Sequence, residues 1–68
     1  MNTRLRKARE KAKLTQLQLA NKAGIGHTSY QIIEHNRTTP SVRTAIRIAK
    51  VLGVKVEEIF DEDLEPFI

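Results

Sequence analysis

No cysteine occurs among the 68 residues, so neither a disulfide nor a thiolate metal site can staple the chain, and its two histidines alone make a poor zinc site. No apolar run approaches the roughly 18 residues of a membrane span, and the charged N-terminal stretch is not followed by the apolar segment of a signal peptide. These absences predict a soluble, cytoplasmic protein with no membrane attachment. Acidic residues are nearly missing from the first 56 positions. Only Glu10 and Glu34 stand there against all 12 Lys and Arg, a balance of +10, whereas residues 57–68 hold six acids and no base, a balance of −6. A body this basic suits a polyanion such as a nucleic acid. There is no glycine-rich phosphate loop. Ser29, His27, His35 and Glu34 lie close in sequence but assemble no nucleophile, base and oxyanion site, since a helix sets the two histidines roughly 12 Å apart. Catalysis is not expected, and neither a cofactor nor a small-molecule ligand is evident. The length allows one small domain that buries only about 60% of its unfolded surface.

What is present is organised around Thr15 to Asn36. Thr15 can cap a helix beginning at Gln16, and Gln18 can reach back to it in a capping box. That helix runs through Leu17, Leu19, Ala20 and Ala23 to Gly24, where a left-handed end costs nothing sterically. Ile25 can plug the space behind the turn. A second helix, His27 to about His35, turns Tyr30, Ile33 and Glu34 inward and ends at Asn36, which tolerates positive φ. Two short helices joined by such a turn form a helix-turn-helix unit.

The run Leu14-Thr15-Gln16, Leu19-Ala20, Gly24, Ile33-Glu34, Pro40-Ser41, Ile48-Ala49 and Leu52-Gly53-Val54 resembles the phage-repressor and Cro-like helix-turn-helix regulators, over roughly Leu5 to Phe60. The resemblance implies an all-α, five-helix fold over residues 1–60, with residues 61–68 as an acidic and apolar C-terminal tail outside the core motif. It also implies an ion pair between Arg9 and Glu34. Lys13 stands where the family often has glycine and Lys55 where it often has a capping serine, so strain is expected at the first and fraying at the second.

The first helix takes its cap from Asn2 or Thr3 and carries Leu5, Ala8, Arg9 and Ala12 on one stripe. The resemblance implies that residues at the start of the His27 helix, and one a turn later, touch base edges in a major groove. Carried over residue by residue, these are His27, Thr28, Ser29, Gln31 and Ile32. Gln31 suits an adenine edge, while Thr28 and Ile32 suit a thymine methyl. No Arg or Lys lies on that face, so affinity must come from elsewhere. The phosphate contacts implied are Gln16, Arg37, Thr38, Thr39, Ser41 and Arg43. Ser41 can cap a fourth helix whose stripe reads Val42, Ala45, Ile46, Ile48, Ala49 and Leu52, closed by Gly53.

Phe60, Leu64, Phe67 and Ile68 are expected to pack across a two-fold axis. The sequence therefore predicts a sequence-specific regulator, a repressor that binds an inverted-repeat operator in double-stranded DNA as a homodimer through residues 27–35. The alternative is an antitoxin or bridging module that uses exposed Leu17 and the tail to hold a partner protein.

Overall fold

The computed structural model describes residues 2–60, which form α1 (Thr3–Lys11), α2 (Gln16–Ala23), α3 (His27–Glu34), α4 (Val42–Leu52) and α5 (Val56–Ile59) and no strand. Four of the five helices stop by one device. Lys13, Gly24, Asn36 and Gly53 follow α1 to α4 with φ between 61° and 73°. The next residue in each case returns its N–H to a carbonyl five positions back: Leu14 to Arg9, Ile25 to Ala20, Arg37 to Ile32 and Val54 to Ala49. This left-handed closure satisfies the last carbonyls of a helix, and an apolar residue just beyond it anchors the turn. Leu14, Ile25 and Val54 are those anchors, each packed against the core. Lys13 is the strained member, since a side chain in this conformation costs about 1–2 kcal/mol that glycine avoids.

Helix starts follow the sequence closely. Thr15 accepts from the Gln18 N–H and Gln18 returns the bond, completing the capping box, and Ser41 accepts from the Thr44 N–H. Gly26 caps α3 with no side-chain bond. At α5, Lys55 has no acceptor to offer, so only the reverse half of a box forms, from its N–H to Glu58 Oε2 at 2.6 Å.

Asn2 does more than cap. Its Oδ1 accepts from the Leu5 N–H, its Nδ2 donates to the Ile59 carbonyl at 2.7 Å, and its own N–H donates to the Glu34 carbonyl at 2.8 Å. One buried residue, through its side-chain amide and its backbone N–H, thus joins the start of α1 to the ends of α3 and α5.

The core is formed by Leu5, Leu19, Ala20, Ala23, Tyr30, Ile33, Ala45, Ile48, Ala49, Ile59 and Phe60. α2 packs on both α3 and α4, while α5 closes the other end against α1 and α4. Two expectations require correction. Ile46 leaves the core stripe of α4 and is 41% exposed. It stands 100° round from Ala45, on the side of Arg43 and Lys50, so the buried stripe is narrower than the run of apolar letters. Phe60, expected at a dimer axis, is 1% exposed and packs in the core of its own chain. Its side chain is spent on the fold, because α5 is too short to close that end without it. Leu64, Phe67 and Ile68 lie outside the described residues.

Candidate nucleic-acid interface

The inner side of α3 is fastened by one carboxylate. Glu34 is 1% exposed, and Arg9 meets it with Nε at 2.8 Å from Oε1 and Nη2 at 3.3 Å from Oε2. The Tyr30 hydroxyl donates to Oε1 at 2.6 Å and Gln16 Nε2 donates to Oε2 at 2.8 Å. Arg9 Nη1 also holds the Leu14 carbonyl at 2.8 Å, which pins the turn into α2. Burial alone would push the Glu34 carboxyl up. The bonds from Arg9, Tyr30 and Gln16, with the Arg9 charge, outweigh it and hold the group below the usual range. The hydrogen bond to Glu34 raises Arg9, and burial pushes the Tyr30 phenol well above its ordinary value. The Arg9–Glu34 pair inferred from the resemblance therefore forms, as the centre of a network rather than a lone bridge. Among the described residues no buried side-chain nitrogen or oxygen lacks a partner.

With the helix anchored on that side, the opposite side faces solvent. His27, Thr28 and Ser29 are exposed, Ile32 is 38% exposed and Gln31 is half-buried beside it. Gln31 Nε2 lies 3.4 Å from Gln16 Oε1, so these two predicted DNA contacts meet one another. The loop residues Arg37, Thr38, Thr39 and Ser41 are exposed, as is Arg43 in the first turn of α4. Ser41 already uses its hydroxyl, donating to Thr44 Oγ1 at 3.0 Å as well as capping α4. An open groove of about 400 Å³ runs between helix and loop, floored by Ile25, Ile32, Ile33 and Pro40 and rimmed by Ser29, Thr38 and Thr44.

Sequence reasoning missed two features of this surface. The first is the link from Gln16 to both Glu34 and Gln31, which no spacing rule announces because the partners sit on separate helices. The second is a basic patch on α4 and α2. Arg43, Arg47 and Lys50 recur at intervals of four and three residues, with Ile46 among them, and Lys22 and Arg47 flank the same shallow surface beside Gly24. That periodicity was visible in the sequence.

No group of three or more histidines or acids among the described residues could hold a metal, and no helix of the described residues is long and apolar enough to cross a membrane. A compact helical module that turns an exposed, cation-flanked helix to solvent through a glycine turn is a helix-turn-helix DNA-binding domain. Residues 5–59 match the helix-turn-helix family, and the chain belongs to its Cro/C1-type transcriptional regulators. It is 37% identical over 67 residues to an uncharacterized HTH-type transcriptional regulator of Archaeoglobus fulgidus, covering 94% of this chain and 96% of that one. Another such regulator, from Methanocaldococcus jannaschii, is 40% identical over 60 residues, 88% of this chain and 91% of its own. The immunity repressor protein of Bacillus phage phi105 is 38% identical over 60 residues, which cover 88% of this chain but 42% of the repressor.

Proposed function

We propose that the chain is a sequence-specific repressor that binds an inverted-repeat operator as a homodimer in the cytoplasm, with α3 of each protomer in a major groove. The observation that carries this reading is the exposed row His27, Thr28, Ser29 and Ile32 next to the exposed Arg37, Thr38, Thr39, Ser41 and Arg43. The helix face offers hydroxyls, an imidazole and an apolar branch to base edges, which discriminate sequence. The loop offers charge and hydroxyls to phosphates, which position the protein without discriminating. Gln16, Arg37, Thr38, Thr39, Ser41 and Arg43 form that positioning set. Arg43 opposes the dipole at the start of α4, and a phosphate there relieves it. Two-fold pairing sets the half-site centres about 34–36 Å apart. Residues 61–68 are the proposed dimer contact, through Leu64, Phe67 and Ile68.

Selection from a random duplex pool tests this directly. The expected product is a palindrome, bound with a log affinity that falls with log salt by about 0.9 per phosphate neutralised. Recovery of no common sequence, or an affinity indifferent to salt, would refute it. A second reading draws support from Leu17, 49% exposed on the first turn of α2, as the anchor of a partner protein in an antitoxin-like module. Under that reading Leu17→Ser abolishes partner binding and leaves DNA selection unchanged.

A further inference from the structure

We propose that residues 61–68 of each protomer lie on α4 of its partner, with their acids against Arg47, Lys50 and Lys22 and their apolar side chains against Ile46. The inference rests on the dimer contact proposed above and names the surface that receives it.

Three large apolar side chains are exposed among the described residues: Leu17, Ile32 and Ile46. Ile32 stands on the face given to DNA, and Leu17 is followed one turn on by Ala20 and Asn21, which carry no charge. Among the three, Ile46 alone is ringed by cations. Arg43 and Lys50 lie three before and four after it on the helix surface, with Arg47 beside them, and all four side chains are exposed. Lys22, at the end of α2, borders the shallow surface that Arg47 and Lys50 share. Among the described residues none of these cations meets a carboxylate, while Glu34 is taken by Arg9 and Glu10 pairs with Arg6.

Unopposed cations draw a polyanion, but a phosphate backbone would use Arg43, Arg47 and Lys50 and leave Ile46 in water. A peptide that carries acids and apolar groups together answers both parts of the surface. Asp61, Glu62, Asp63 and Glu65 beside Leu64, Phe67 and Ile68 make such a peptide. Lys7 and Lys11 on α1 offer it charge alone, since Leu5 between their turns is buried.

The balance of charge favours exchange between two chains. Residues 1–60 hold 12 bases and four acids, a balance of +8, and residues 61–68 hold four acids and no base, a balance of −4. Two bodies of +8 repel on one operator, and a segment of −4 laid by each on the other turns that repulsion toward attraction. The reach suffices. Eight extended residues span about 26–29 Å, against roughly 10 Å from Arg43 to Lys50 along α4. Under two-fold symmetry each chain gives one segment and receives one, so the second contact closes within a pair already joined and gains from its effective concentration.

The test is charge reversal in the full chain, read by sedimentation equilibrium without DNA, with circular dichroism checking that each variant stays helical. Arg47→Glu with Lys50→Glu should weaken dimerisation about 10-fold or more, and so should Asp63→Lys with Glu65→Lys, because attractions become repulsions on both sides of the two-fold. All four changes in one chain should restore it. An equimolar mixture of the two reversed chains should restore it as well, as a heterodimer in which each segment meets an α4 of opposite charge. Lys7→Glu with Lys11→Glu changes net charge equally and should rescue nothing in such a mixture; rescue there overturns the assignment to α4. Ile46→Ser should weaken the dimer several-fold. Rescue in the single chain without rescue in the mixture would put the segment on its own α4 and overturn the exchange. A dimer untouched by the α4 reversals, with operator affinity reduced, would give the patch to phosphates and overturn it too. Those results leave dimerisation and DNA reading standing, whereas a wild-type chain that stays monomeric both free and on the selected operator overturns the dimer and the exchange together.

Discussion

On its inner side α3 presents Tyr30, Ile33 and Glu34, all buried, and on its outer side His27, Thr28, Ser29 and Ile32, all exposed. Glu34 meets Arg9 of α1 and Gln16 of α2 at 2.8 to 3.3 Å and the Tyr30 hydroxyl of its own helix at 2.6 Å, whereas among the described residues no side chain hydrogen-bonds to those of His27, Thr28 or Ser29. The difference teaches a division of labour within eight residues. A charged knot holds the helix from behind so that its front can remain uncommitted. Substitutions behind should change whether the protein folds, and substitutions in front should change what it binds.

The largest effect expected is at Arg9. Arg9→Met leaves Glu34 buried without its counter-charge, which costs about 3–5 kcal/mol, a large part of what a domain of this size has. Urea unfolding measures it, and a loss under 1 kcal/mol would mean that water reaches Glu34 and the two sides of α3 are less distinct than described.

Acid should loosen the same knot. The Glu34 pKa is lowered on folding, so its contribution is present above the ordinary carboxylate value of 4.5 and is lost as pH falls through the lower folded-state value. Tyr30 has the opposite sign, because its folded pKa is raised above the ordinary 10.0. Its contribution is complete below that value and declines as pH rises beyond it. Chemical denaturation at a series of pH values should therefore give a plateau bounded on both sides, and Glu34→Gln should remove the acid limb.

On the outer side the pattern reverses. Thr28→Ala and Ile32→Ala should move stability by no more than about 0.5 kcal/mol while each removes roughly 1–3 kcal/mol of discrimination at one base pair. Melting and operator-variant binding on the same samples separate the two quantities. The smallest effect is expected at Lys13, in the turn between α1 and α2. Lys13→Gly relieves the positive φ of 61° and should stabilise by up to about 1 kcal/mol, with sequence preference unaltered.

Much of this was readable in the sequence because local rules act over three to five residues. The Thr15–Gln18 box, the Gly24 and Gly53 closures, the Asn36 turn and the Ser41 cap all lie within that reach. The same rules carried the inward placement of Tyr30 and Glu34, and hence the outward placement of Thr28 and Ile32. What escaped depends on contacts between distant segments. Asn2 looks like a surface cap, and nothing near it announces a bond to Ile59, 57 residues away. Gln16 looks like an exposed first-turn residue until α3 is packed beside it. Ile46 and Phe60 failed for another reason: an apolar side chain states a preference for burial but not which surface will bury it. The family resemblance supplied Arg9 with Glu34, a pairing that charge pattern alone would have left among several.

DNA is proposed to meet the solvent side of α3 and the loop after it. Backbone and side-chain ¹H–¹⁵N shifts recorded while the selected duplex is titrated into the labelled protein test it most directly. The largest changes should fall on residues 27–32 and 37–43, with the core around Leu5 and Ile48 nearly still. Changes concentrated on α1 and α5, with residues 27–32 undisturbed, would contradict it.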